Sequence, residues 1–209
     1  MFEKMPKNLL NIFKIILVFL LIVIGIIVSS KKNNTNASKN IEKLIITKII
    51  DGDTVEAKIK SKKIKIRLYG IDTPETLKKN NKNKLAKYEN YYANIAKEML
   101  RDKTSNQDYF YYKHIDNDEY GRDVGLIYTQ KFDENIFANT LNSFLIEEGL
   151  ARVAYIQNSN FKQKYYTKNK FQNDFYNYII GLEEKSKAQE KGFWSLELEE
   201  VFYKYKKMV

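Results

Sequence analysis

The chain has no cysteine, a single histidine (His114), two prolines and eight glycines in 209 residues. Without cysteine there is no disulfide framework, no thiolate metal site and no cysteine nucleophile. One histidine excludes clustered-histidine metal centres, and His114 sits in an aromatic run with no nucleophile motif around it, against a Ser-His-Asp triad. Arginine is scarce too: Arg67, Arg101, Arg122 and Arg152 are the only four among 36 basic residues. In a chain that otherwise uses lysine, a planar and permanently charged fork marks places where bidentate contact with phosphate or carboxylate matters. Chemistry here must rest on carboxylates, hydroxyls, lysine and arginine.

What is present is a sizeable apolar fraction, 44%, and a formal charge of +10 that favours polyanionic partners. Residues 1–32 contribute +4 of that charge, so the remainder leans only modestly basic. Leu9 to Val28 holds seventeen apolar residues in twenty. A helix over it would span about 30 Å, one hydrocarbon core. The segment 1–30 is therefore expected to be an N-terminal hydrophobic helix that anchors the chain in the cell membrane as a single pass, with the following domain outside the cytoplasm. The alternative is a signal segment cleaved after export, leaving a secreted protein. Residues 31–40 read as a polar tether.

Beyond it, Ile41–Ile50 reads as a strand, and Asp51-Gly52 as a turn. Val55, Ala57 and Ile59 alternate with polar positions, Ser61-Lys62 turns the chain again, and Ile64, Ile66 and Leu68 form the next apolar row. That alternation puts Arg67 on the face away from the apolar core. Helical spacing links Leu85, Tyr88, Tyr92, Ile95 and Met99, then residues 136–145 with Gly149 as the stop, then Phe171 to Leu182. Two further strands are expected at 107–115 and 124–128. The fold class is α+β: five strands, the first three in a meander or a small barrel, with about three helices.

Four carboxylates and one arginine crowd into Asp51-Gly52-Asp53-Thr54-Val55 and Arg67-Leu68-Tyr69-Gly70-Ile71-Asp72-Thr73-Pro74-Glu75-Thr76. Asp53 and Asp72 are candidates for a hard cation such as calcium, with carbonyls and water completing its shell. Pro74 biases Thr73 towards extended backbone, which helps aim the Thr73 carbonyl. Tyr120-Gly121-Arg122 and Glu148-Gly149-Leu150-Ala151-Arg152-Val153-Ala154-Tyr155 complete the set. Asp116 to Gly121 mimics the start of an EF-hand loop but has Ile127 where a bidentate Glu belongs, so it is rejected.

In this order and at these spacings the four runs resemble the staphylococcal nuclease-like (thermonuclease) family, over roughly Ile41 to Ser195. The resemblance implies a five-stranded OB-type barrel over 41–195, followed by an unmatched tail, 196–209. It implies calcium bound by Asp53, Asp72 and the main-chain oxygen of Thr73, with Glu75 positioning or deprotonating water and Arg67 and Arg122 gripping the scissile phosphate. Tyr120 and Tyr155 would contact the nucleotide. The activity implied is calcium-dependent endonucleolytic hydrolysis of DNA and RNA with 3′-phosphate products, by a monomer with no protein partner. The rival reading is a non-catalytic OB-fold nucleic-acid-binding module tethered to the membrane. Two departures from the family stand near the site: Glu119 replaces a lysine, and Gln157 replaces a second aromatic two residues past Tyr155. The stretch from Tyr155 to Trp194 is also about a dozen residues longer than usual.

Overall fold

The structure, a computed structural model, describes residues 41–81, 83–130 and 137–205, together with four isolated helical positions, 16, 17, 20 and 21. The expected membrane segment and tether otherwise lie outside the described residues. No helix among the described residues is long and apolar enough to cross a membrane. The chain divides between Asn40 and Ile41, and the barrel, its helices and the cleft belong to the unit Ile41–Val209.

Strands β1 (Ile41–Asp51), β2 (Thr54–Ile59) and β3 (Lys62–Leu68) form a meander. Strands β5 (Phe110–Asn117) and β6 (Asp123–Tyr128) close it into a barrel in the order β1-β2-β3-β6-β5. All pairings are antiparallel except β3 with β6, which run parallel with Arg67 opposite Val124. Two short strands, β4 (Ile71–Asp72) and β7 (Arg152–Val153), pair outside the barrel with Asp72 facing Arg152. Helix α1 spans Glu89–Ser105, α2 Leu141–Glu147, α3 Lys170–Ala188 and the single turn α4 Leu198–Val201. This is the expected architecture, with the tail supplying one extra helical turn.

Period-two alternation explains the barrel interior, where Val55, Ala57, Ile66 and Leu68 are fully buried with Phe110, Tyr112 and Ile127. Ala96 and Leu100 of α1 and Leu145 of α2 cap that interior. A second cluster joins Tyr69, Leu126 and Tyr128 to Phe175 and Ile179 of α3. The hairpin after β1 needs Gly52 for lack of a side chain: a Cβ there would stand 2.8 Å from both Ala96 Cβ and Thr73 Oγ1. The expected stop at Gly149 is also physical, because its φ is +66° and a Cβ would fall 2.1 Å from the Lys191 carbonyl oxygen.

Three local expectations are corrected. The turn between β2 and β3 is made by Lys60 and Ser61, with Lys60 at φ +54°. The strand expected at 107–115 runs Phe110–Asn117. Helix α1 begins at Glu89, and Leu85 and Tyr88 precede it. The reason lies at the other end of the chain, since Tyr88 N–H donates to the Glu200 carbonyl (2.8 Å), and Glu89 accepts from both Ala86 N–H (2.8 Å) and Tyr203 N–H (2.9 Å).

Candidate active site

Asp53 is the floor of the site. It sits in the β1–β2 turn, 2% exposed, and both its oxygens are engaged. Its Oδ1 accepts from Thr54 Oγ1 (3.0 Å) and Arg67 Nη1 (2.5 Å), and its Oδ2 from Thr73 N–H (3.0 Å) and Thr73 Oγ1 (2.9 Å). Burial raises the Asp53 pKa above the ordinary carboxylate value, and the Arg67 charge offsets only part of that effect. Arg67 projects from the outer face of β3 and bridges the two aspartates, its Nη2 donating to Asp72 Oδ1 at 3.0 Å. Burial opposes the charge on Arg67, but Asp53 and Asp72 outweigh it and raise its pKa. The other oxygen of Asp72 accepts from Arg152 Nε (3.2 Å) and Nη2 (2.9 Å).

Above this floor opens a cleft of about 1160 Å³. Arg67, Asp72, Glu75, Tyr120, Arg122 and Tyr155 all line it, whereas Asp53 and Thr73 lie beneath its surface. Glu75 follows Pro74 out of the β4 strand and is flanked by two ammonium groups, Lys78 Nζ at 3.4 Å and Lys204 Nζ at 3.9 Å. Lys78 also reaches Asp51 at 2.8 Å. Arg122 enters from the β5–β6 turn, where Asp118 organises the loop: its Oδ1 accepts from Tyr120 N–H and Arg122 N–H, and its Oδ2 from Arg122 Nε at 2.5 Å. Partial burial works to raise the Asp118 pKa, but these hydrogen bonds together outweigh it and lower the pKa. Tyr120 is 77% exposed, with the Arg122 guanidinium 5.5 Å from its ring centre. Tyr155 stands 5.6 Å from the Arg67 guanidinium, and burial raises its phenol pKa.

The donor set suits a hard cation in type, because carboxylate oxygens from two strand ends converge on one positive charge, now that of Arg67. Among the described residues no group of three or more acidic or histidine side chains forms a metal cage. An ion would therefore have Asp53 and Asp72 and otherwise main-chain oxygen and water, in competition with Arg67 and Arg152. Sequence reasoning misses Arg152 as a partner of Asp72, Asp118 as the orienter of Arg122, and Lys78 and Lys204 beside Glu75. The scarcity of arginine is a signal for the first. Lys78 has the sequence context of a solvated loop residue, yet it crosses to Asp51.

A family model described as staphylococcal nuclease homologue matches residues 65–196 of this chain. Endonuclease YncB of Bacillus subtilis is 31% identical over 137 residues, 64% of this chain and 60% of that protein, so the chain spans less than two thirds of it. The thermonuclease of Staphylococcus intermedius is 30% identical over 125 residues, covering 60% of this chain and 66% of its own length. An uncharacterised protein of Methanocaldococcus jannaschii is 27% identical over 168 residues, 72% of this chain and 70% of its own.

Proposed function

The chain belongs to the staphylococcal nuclease homologue family, and from that premise we propose that it is a calcium-dependent nuclease hydrolysing phosphodiester bonds within DNA and RNA, leaving 3′-phosphate ends. The observation that carries this reading is the meeting of Arg67, Asp72, Glu75 and Arg122 on one cleft. In-line attack of water on a phosphodiester loads negative charge onto the non-bridging oxygens. Two guanidinium groups facing that charge stabilise it, each such donor being worth about 10²–10³ in rate. Glu75 positions the water and takes its proton, while Lys78 and Lys204 fix the carboxylate. Asp118 holds Arg122 in its loop, so little reorganisation is left for the reaction itself. Tyr155 and Tyr120 carry the sugar and base beside the phosphate. Asp53, Asp72 and the Thr73 carbonyl would hold calcium, which would supply Lewis-acid stabilisation of the phosphoryl oxygens.

The segment 1–30 then serves as membrane anchor and 31–40 as tether, with the nuclease domain outside the cytoplasm and acting as a monomer. The alternative, a binding module that does not cut, draws on one observation: both aspartates already engage Arg67, which neutralises part of its charge. Cleavage of single-stranded DNA by the purified full-length protein, with calcium and then with chelator, separates the two. Calcium-dependent turnover that falls by orders of magnitude in Glu75→Gln supports the enzyme. Binding with no turnover at any calcium concentration supports the module.

A further inference from the structure

The longer stretch after Tyr155 is not a loose insertion. Gln157, which replaces an aromatic residue of the family, turns its side chain inward. Its Oε1 accepts from Ser159 N–H (2.9 Å), Ser159 Oγ (3.1 Å) and Asn160 N–H (2.9 Å), and its Nε2 donates to the Asn160 carbonyl at 2.8 Å. The main chain closes the same loop: Gln157 N–H donates to the Tyr165 carbonyl and Thr167 N–H to the Gln157 carbonyl, both at 2.9 Å. The result is a self-satisfied Ω-type loop over 157–167.

Its apolar side chains do not fold back into a core. Phe161 is 72% exposed and Tyr165 47%, and both line the cleft that holds Arg67 and Arg122. Tyr165 meets Tyr155 edge to face, with ring centres 5.3 Å apart, and both residues hold left-handed backbone, φ +67° and +58°. From Ala151 to Asn173 the chain has no acidic residue and five basic ones. Lys164 reaches across the cleft to Glu119 (3.4 Å), putting a lysine back beside the position where the family carries one. Lys164, Lys168 and Lys170 are held in exposed pairs with Glu119, Asp116 and Asp174, contacts weak enough at a surface for phosphate to displace. Exposed rings beside them in a cleft lined by Arg67 and Arg122 suit one ligand chemistry: a single nucleic-acid strand, whose unpaired bases offer a free face for stacking.

We propose that Phe161 and Tyr165 form a base-stacking subsite for single-stranded nucleic acid, taking over from the missing aromatic at 157 and extending the contact beyond Tyr155. The subsite rests on the nuclease reading for its direction along the strand, but its test needs no turnover. Binding of fluorescein-labelled oligothymidylate and of a labelled duplex to the full-length protein, in chelator, is measured for wild type, Phe161→Ala and Phe161→Trp. Phe161→Ala is expected to weaken single-strand binding at least about fivefold, the lower end of base–aromatic stacking, with a smaller effect on duplex. Phe161→Trp is expected to retain affinity and to show tryptophan quenching by the oligonucleotide that wild type lacks. Unchanged single-strand affinity in Phe161→Ala, equal losses for single strand and duplex, or no added quenching in Phe161→Trp would each overturn the subsite. If the wild type never cleaves but Phe161→Ala still loses single-strand binding, the nuclease reading fails and the subsite stands. Cleavage by wild type with no Phe161 effect on binding removes the subsite and leaves the nuclease reading in place.

Discussion

Arg67 should hold the site together as much as it serves chemistry, and its removal separates the two roles. Arg67→Ala leaves Asp53, 2% exposed, facing Asp72 with no guanidinium between them. Removing one partner of a buried ion pair costs about 3–5 kcal/mol. In a domain of this size each kcal/mol moves the melting temperature about 2–4 °C, so the variant should melt about 6–20 °C lower at pH 8. The sign of the pH dependence follows from Asp53. Its folded pKa already lies above the unfolded value of 3.8, so this group costs stability at neutral pH and returns it as pH falls through the folded pKa. Without Arg67 that pKa rises further, and the deficit relative to wild type should shrink between pH 8 and pH 5. A second change, Asp53→Asn, removes the uncompensated charge and should recover part of the loss. Thermal denaturation followed by circular dichroism at both pH values reads all three proteins. A single variant melting within about 2 °C of wild type, less than 1 kcal/mol is worth, or a deficit independent of pH, would refute the assignment of Arg67 as the neutralising bridge.

Other outcomes follow from the same geometry. Glu75→Gln should lower the cleavage rate by about 10²–10⁴, the usual range for a positioned proton acceptor, which a single-turnover assay measures directly. Arg152→Ala should lower the melting temperature, because Phe202 loses the cation 4.1 Å from its ring and Asp72 its second guanidinium, and should tighten calcium binding by calorimetry, because a cation competing for Asp72 is gone. Gly149→Ala should destabilise the fold by more than about 1 kcal/mol in urea, since its φ is positive and the Lys191 carbonyl blocks the added carbon. Truncation after Ser195 should also lower stability, because Glu89 and Tyr88 lose their partners Tyr203 and Glu200.

The barrel is legible in sequence because its interior follows a period of two and two of its turns, after β1 and after β5, carry Gly and Asp, signals that are local. Asp53, Arg67, Asp72 and Glu75 are legible as a cluster because two short runs contain them all. Arg152 is not, as it meets Asp72 across eighty positions of sequence, and only the β4–β7 pairing brings them together. The start of α1 is hidden for a similar reason: residues before Glu89 have helical spacing, but the distant tail takes their hydrogen-bonding groups first. Gln157 reads on paper as a lost stacking contact, whereas its side chain is the pin that shapes a loop bearing other aromatics.

The parallel seam between β3 and β6 has a kinetic corollary. Arg67 lies opposite Val124, two residues from Arg122, so a pairing that helps shut the cylinder also brings both cationic forks to one cleft. It joins segments more than fifty residues apart, and such late, non-local closure is slow relative to hairpin formation. A nascent or partly unfolded chain therefore carries the meander without the cleft that Arg67 and Arg122 line. Assembly of the candidate site and closure of the barrel are thus linked.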